Sequence, residues 1–174
     1  MAHQTLTSSY THLVDRLNRF PQGASPSKLL NKILAMLFSK KEAHLVSQLP
    51  IKPFTAEKAS KIWKINISES KKILDRLASR AILVDIDQKG QTQYALPPPM
   101  AGFFEFSMMR VRHDIDQKAL SELFYQYMNV EEDFIKNLFT LGDTQLGRVF
   151  VHEPVLSNEN AMHVLDYERA SQVI

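Results

Sequence analysis

The spacing of apolar residues along the first half of the chain predicts a series of short amphipathic helices. Apolar side chains that recur at intervals of three and four residues form one hydrophobic stripe on a helix. Such stripes occupy residues 13–20, 29–37, 41–49, 56–65 and 68–80. Thr55 and Asn66 stand directly before two of these segments, and both residue types are favourable N-caps. Prolines or glycines follow several of the segments, so we expect the helices to be separated by tight connections.

The pattern changes after residue 81 from helical spacing to alternation. Residues 82–87 are β-branched or roughly alternating, residues 88–91 contain a glycine, and residues 92–96 form a second short alternating run. This arrangement predicts a β-hairpin.

Residues 39–97 are therefore predicted to contain two helices, a tight turn, a third helix and a hairpin. This order resembles the winged helix-turn-helix family, through residues 54–59, the helix at 68–80, the strand at 81–84 and a wing at Lys89–Gly90. The resemblance implies a third helix that enters the major groove of DNA. Its candidate nucleic-acid contacts are Ser68, Lys71, Lys72, Arg76 and Arg80, with Lys89 at the wing tip. Winged helices also serve as protein-docking modules, so the fold leaves the function open.

The second half is again predicted to be mainly helical, with one or two short strands. Helical spacing covers residues 100–111 and 117–128, a further helix starts after Asn129, a strand is expected at 147–151, and a last helix starts at 167. Because the first of these helices is apolar on more than one side, Phe103, Phe106 and Met109 are candidate interface residues, and they suit a homodimer. The alternative is that this helix is the core of the second half. The predicted fold class is mainly α (α+β): a winged helix-turn-helix followed by a small helical domain.

Charge divides the chain at three consecutive prolines, residues 97–99. Residues 1–99 carry 15 Lys and Arg against 7 Asp and Glu, a net of +8, whereas residues 100–174 carry 6 against 12, a net of −6. We therefore predict N-terminal helices at 1–38, a winged helix domain at 39–97 and an acidic helical domain at 98–174. The basic half suits an anionic partner such as nucleic acid, although the two halves would also attract each other.

Composition and motifs argue against catalysis by this chain. It contains no cysteine, which excludes disulfides, thiolate nucleophiles and thiolate metal ligands within these residues. Its six histidines are scattered, and glycine-rich phosphate loops and nucleophile elbows are absent from the sequence. We expect neither an enzyme nor a metal site. The N-terminus lacks the pattern of a secretory signal and no apolar run is long enough to span a bilayer, so a cytoplasmic location without membrane contact is expected.

A second resemblance extends over nearly the whole chain. It is carried by residues 96–106, Arg110, residues 120–124, residues 147–151 with Glu153 and Pro154, and residues 164–168. These segments resemble the N-terminal region of bacterial ferredoxin-type proteins that bind 4Fe-4S clusters. In that group a cysteine-rich segment follows. Because this sequence has no cysteine, no cluster ligand is assigned to any position here.

The resemblance implies a parent electron-transfer or redox-sensing protein whose 4Fe-4S cluster lies beyond Ile174. The chain ends on Val173 and Ile174 within a predicted helix, which also suggests a piece of a longer protein. The leading hypothesis is a non-catalytic regulatory or docking region. Its expected partners are the C-terminal iron–sulfur domain of the same protein and a redox partner protein. The alternative is a DNA-binding winged-helix transcriptional regulator.

Overall fold

The computed structural model describes residues 2–88 and 90–138, and this part of the chain is mainly helical with a small three-stranded sheet. The elements in chain order are α1 (Ala2–Leu17), α2 (Lys28–Leu37), α3 (Lys40–Ser47), β1 (Phe54–Thr55), α4 (Ala56–Trp63), α5 (Ile67–Ser79), β2 (Val84–Gln88), β3 (Gln91–Ala95), α6 (Phe104–Met109), α7 (Gln117–Tyr125) and α8 (Glu132–Leu138). A kinked turn at Pro99–Phe103 precedes α6, and a π-helical turn at Gln126–Val130 follows α7. The predicted strand at 147–151 and the predicted helix from residue 167 lie outside the described residues.

At Thr55 and Asn66, side-chain caps begin helices where the sequence predicts them. The Thr55 side chain accepts a hydrogen bond from the backbone of Lys58, and the Asn66 side chain accepts one from Ser68. Ser39 caps α3 in a reciprocal arrangement with Glu42, whose carboxylate accepts from the Ser39 backbone N–H at 2.8 Å. Each cap satisfies a backbone donor that has no partner inside its helix, which explains why these helices begin where they do.

The three strands form an antiparallel sheet in the order β1-β3-β2. The hairpin of β2 and β3 is the predicted one, and Tyr94 in β3 is the register partner of Asp85. On its other side, Tyr94 is paired with Phe54 of β1. Strand β1 was not predicted, because two residues are too few to show an alternating pattern. It joins the hairpin to the connection between α3 and α4.

A single hydrophobic cluster joins buried side chains from residue 10 to residue 134. In this cluster, helix α1 packs against α3, and α2 packs against α7. Aromatic rings link the two halves of the chain: the ring centroids of Phe38 and Phe103 are 6.2 Å apart, and those of Phe103 and Phe104 are 4.7 Å apart. The buried Tyr127 hydroxyl donates to the Ser25 carbonyl at 2.8 Å. Residues on both sides of the triple proline therefore share one core.

The predicted helix at 100–111 is interrupted at its start, which corrects the sequence prediction. Ala101 has a left-handed backbone (φ 52°), so the regular helix begins only at Phe104. Gly102 lies against the proline run, where an added Cβ would come within 3.2 Å of the Pro97 Cβ. The kink directs Phe103 into the core and leaves Met109 at the far end of a short helix, 77% exposed.

Candidate interaction surfaces

Helix α5 presents a mostly polar face to solvent because its apolar residues, except Ile67 in the first turn, lie on the opposite side. Its buried residues are Ser70, Ile73, Leu74, Leu77 and Ala78. The helix ends at Ser79, and Ala81 beyond it has a left-handed backbone. Of the predicted contacts, Ser68, Lys71, Lys72 and Arg76 are exposed, Arg80 is half-buried, and Lys89 lies outside the described residues.

Lys71 is paired with a carboxylate that β3 holds in place. Its ammonium group is 2.9 Å from Asp75 Oδ2, and the Tyr94 hydroxyl donates to Asp75 Oδ1 at 2.5 Å. Burial alone would raise the pKa of Asp75, but the hydrogen bonds from Tyr94 and Lys71 outweigh it and hold the pKa below its ordinary value. Because Asp75 is ionised at neutral pH, Lys71 and Asp75 together add no net charge to this face.

Arg80 joins the end of α5 to α3. Its guanidinium is 2.6 Å from Glu42 Oε1, and it also donates to the Leu37 carbonyl at 3.4 Å. The side chains of Arg80 and Glu42 are only 18% and 13% exposed. Arg80 therefore has a structural role in holding two helices together, and its charge is compensated by Glu42.

Lys72 and Arg76 have no such compensation within the described residues, where neither side chain forms an ion pair. Both line a groove of about 190 Å³ between α3 and α5, and Lys41 of α3 lines it from the other side. The remaining lining residues are Ser39, Glu42, Leu45, Glu69 and Ile73. Lys41 was not among the predicted contacts. Nothing in the local sequence shows that the first turn of α3 faces the middle of α5.

The described part of the hairpin is acidic where the winged-helix resemblance expects contact with DNA. Asp85 and Asp87 of β2 are both exposed. The Asp87 carboxylate accepts a hydrogen bond from the Gly90 backbone at 3.0 Å, and Gly90 has the positive φ that this turn requires. Within residues 84–88 and 90–95 the charges would repel a phosphate rather than attract it.

A second and larger groove, of about 410 Å³, lies between α6 and the end of α7. Its lining is mainly apolar and comprises Phe104, Glu105, Met108, Ser121, Phe124, Tyr125, Met128 and Asn129. Large apolar side chains with high exposure lie in the same part of the chain: Met109 (77%), Val111 (85%), Tyr125 (59%) and Val130 (63%). We call this region, defined by the groove and these four residues, the apolar groove surface.

The predicted interface residues are distributed unevenly around this surface. Met109 is exposed and Phe106 is half-buried, whereas Phe103 is completely buried in the core. Phe104 and Met108 line the groove instead. The kink at 99–103 determines this placement. It turns α6 about its axis, so that its residues face other directions than they would in one continuous helix over 100–111.

Within residues 2–88 and 90–138, no group of three or more histidine, aspartate or glutamate side chains could hold a metal ion. The same residues contain no helix with the length and apolar character needed to cross a bilayer. Comparison of the chain with family models, with curated proteins and with solved structures finds no match.

Proposed function

We propose that this chain is a non-catalytic docking region of a larger protein, and that the apolar groove surface is its contact site. The observation that carries this proposal is the groove between α6 and α7, with its phenylalanine and methionine lining. Large exposed apolar patches on folded chains often mark interaction sites. Methionine side chains are unbranched and polarizable, so they adapt well to a partner surface.

Three of the polar side chains at the groove already have hydrogen-bond partners in the chain, so we expect binding there to depend mainly on the apolar surface. Glu105 accepts from the Gly102 backbone at 3.0 Å, and Ser121 donates to the Lys118 carbonyl at 2.8 Å. Asn129 donates to the Tyr125 carbonyl at 3.1 Å. Removal of apolar area from water, worth roughly 25 cal/mol per Å², would therefore drive binding.

The partner that we propose is the iron–sulfur domain expected beyond Ile174. The resemblance to ferredoxin-type proteins implies a 4Fe-4S cluster held by cysteines of that domain, in an electron-transfer or redox-sensing protein. The present chain would position the domain and contribute to contact with a redox partner. No residue of this chain is proposed to ligate the cluster.

The test compares the 174-residue chain with the protein extended to its native stop codon. Hydrogen exchange at α6 and α7 should be slower in the longer protein, and Tyr125→Asp should abolish the difference because it introduces a charge into the groove. Ile67→Asp is the matched control, since Ile67 is also exposed (51%) but lies on α5. A reading frame that ends at Ile174, or equal exchange in both proteins, would contradict the proposal.

The second candidate function is DNA binding by residues 39–97. The element order α3-β1-α4-α5-β2-β3 and the sheet order β1-β3-β2 support the hypothesis that this segment is a winged helix-turn-helix. The uncompensated Lys72 and Arg76 on the exposed face of α5 favour contact with an anionic partner. Against it stand Asp85 and Asp87 on the hairpin.

A salt titration tests this candidate. The affinity of the 174-residue chain for a random-sequence duplex should fall linearly on a log–log plot against salt, with a slope set by the number of phosphates contacted. Absence of binding at 50 mM salt would exclude it.

A further inference from the structure

Ion pairing separates the basic residues of α5 and its C-cap residue Arg80 into two groups. Lys71 faces Asp75 at 2.9 Å, and Arg80 faces Glu42 at 2.6 Å, so each of these cations has a carboxylate beside it. Lys72 and Arg76 form no ion pair within the described residues. A phosphate that approached Lys71 or Arg80 would also meet the charge of Asp75 or Glu42. Lys72 and Arg76 are therefore the α5 cations with net attraction for an anion.

The two uncompensated cations share one side of the helix. Residues four apart on a helix have Cβ atoms about 5–6 Å from each other, so Lys72 and Arg76 can reach a single anionic group or two consecutive ones. Both line the groove between α3 and α5, and Lys41 approaches from α3. Arginine binds phosphate oxygens through two parallel hydrogen bonds, and lysine adds a point charge.

Two carboxylates also line this groove, and neither removes its positive balance. Glu42 is compensated by Arg80 and accepts from the Ser39 backbone at 2.8 Å and hydroxyl at 2.9 Å. Glu69 is 3.9 Å from Lys41, and both of these side chains are more than half exposed. An exposed pair at this distance contributes little to stability and can separate when an anion arrives, whereas the closer Asp75 beside Lys71 is also held by Tyr94.

We propose that the groove between α3 and α5 is a phosphate-binding site for double-stranded nucleic acid, formed by Lys41, Lys72 and Arg76. Lys71 and Arg80 are not part of it. This inference rests on the DNA-binding function proposed above as the second candidate, and it narrows the set of contacts that the sequence predicts. It also adds Lys41, which comes from a different helix.

The experiment measures the salt dependence of duplex binding for the complete 174-residue chain and for matched double variants. Lys72→Gln with Arg76→Gln should reduce the magnitude of the negative slope of log affinity against log salt by about 2, because two phosphate contacts are lost. Lys41→Gln alone should reduce the magnitude of this slope by about 1. Lys28→Gln with Lys32→Gln removes the same charge from exposed positions on α2 and should leave the slope unchanged. Circular dichroism verifies that each variant is folded.

A further pair of variants tests the exclusion of Lys71. Lys71→Gln with Asp75→Asn removes the pair without a change in net charge, and the slope should stay at the wild-type value. If the magnitude of the slope is reduced as much in this variant, or in the α2 control, as in the Lys72 and Arg76 double variant, the proposed site is wrong. Duplex binding itself would still stand. A wild-type chain that does not bind the duplex overturns both proposals.

A polyglutamate of matched charge distinguishes nucleic acid from an acidic protein partner. We expect it not to displace the duplex at equal charge concentration. Displacement that depends on Lys72 and Arg76 would assign the groove to an acidic peptide and overturn phosphate recognition.

Discussion

Tyr94 contributes to the charge of one face of α5 through a hydrogen bond to Asp75. Its hydroxyl donates to Asp75 Oδ1, and the pKa of Tyr94 is itself raised, by burial first and then by Asp75. The phenol therefore stays protonated and remains a donor throughout the range in which Asp75 titrates. A residue of the sheet thus helps to lower the pKa of a helix residue, together with Lys71.

We predict that Tyr94→Phe raises the pKa of Asp75 toward its ordinary value, because the ionised form loses its hydrogen-bond donor. The folded pKa of Asp75 is lowered, so its contribution to stability is complete above the unfolded pKa, about 4. That contribution is lost as the pH falls through the lowered folded value. The Asp75 carboxyl ¹³C shift, followed against pH, measures the change.

The control for this titration is Tyr125→Phe. Tyr125 is exposed on α7, and its hydroxyl has no part in the hydrogen bonds of Asp75. An Asp75 titration that is the same in Tyr94→Phe and in wild type would show that the hydrogen bond does not set the pKa.

Helix α4 ends at a residue whose backbone is unfavourable for its side chain. Lys64 has φ 55° and ψ 40°, and its backbone N–H donates to the Ser60 carbonyl. The Ser60 hydroxyl in turn donates to the Ile65 carbonyl at 2.8 Å. The chain accepts a left-handed lysine here because these bonds complete the turn between α4 and α5.

We predict that Lys64→Gly stabilises the protein by about 1 kcal/mol, since glycine adopts this conformation without steric cost. Lys61→Gly is the matched control: it removes the same side chain from the interior of the same helix and should destabilise by about 1 kcal/mol. Urea unfolding measures both. If both substitutions destabilise, the left-handed backbone at residue 64 does not strain the chain.

The described part of the molecule is organised around one core rather than around the charge boundary. Phe103 contacts Phe38 from the N-terminal helices and Phe104 from the second half, and it is completely buried. The sequence predicts separate domains at 39–97 and 98–174, and this division stays a prediction. Because the two segments share a core, we expect them to unfold together.

We predict a single unfolding transition, in which Trp63 fluorescence and far-ultraviolet circular dichroism coincide. Phe103→Leu should shift both midpoints together, with a loss of about 1–2 kcal/mol, less than the 3–5 kcal/mol typical of truncation to alanine. Val111→Ala, at a residue 85% exposed, should leave the midpoint unchanged within about 0.5 kcal/mol. Separate transitions for the two signals would instead favour independent domains.

Local patterns in the chain were sufficient to locate most helices of the first half, their caps at Thr55 and Asn66, the hairpin and the division of charge. The helices and their caps depend on residues within about four positions of one another, the hairpin depends on one short stretch, and the division of charge depends on composition alone. None of these features requires a contact between distant segments. The polar face of α5 could also be predicted from this helical periodicity. Which of its cations lack a carboxylate partner could not be predicted in this way.

Tertiary structure decided which of these local features cooperate. Arg80 meets Glu42 across 38 positions, and Lys41 reaches the groove of Lys72 and Arg76 only because α3 and α5 line the same groove. The fully buried Arg16 donates to the Leu49 and Pro50 carbonyls, more than thirty residues away. The kink before Phe104 likewise depends on contact with the proline run. Such contacts arise from packing between distant segments, and no periodicity along the chain encodes them.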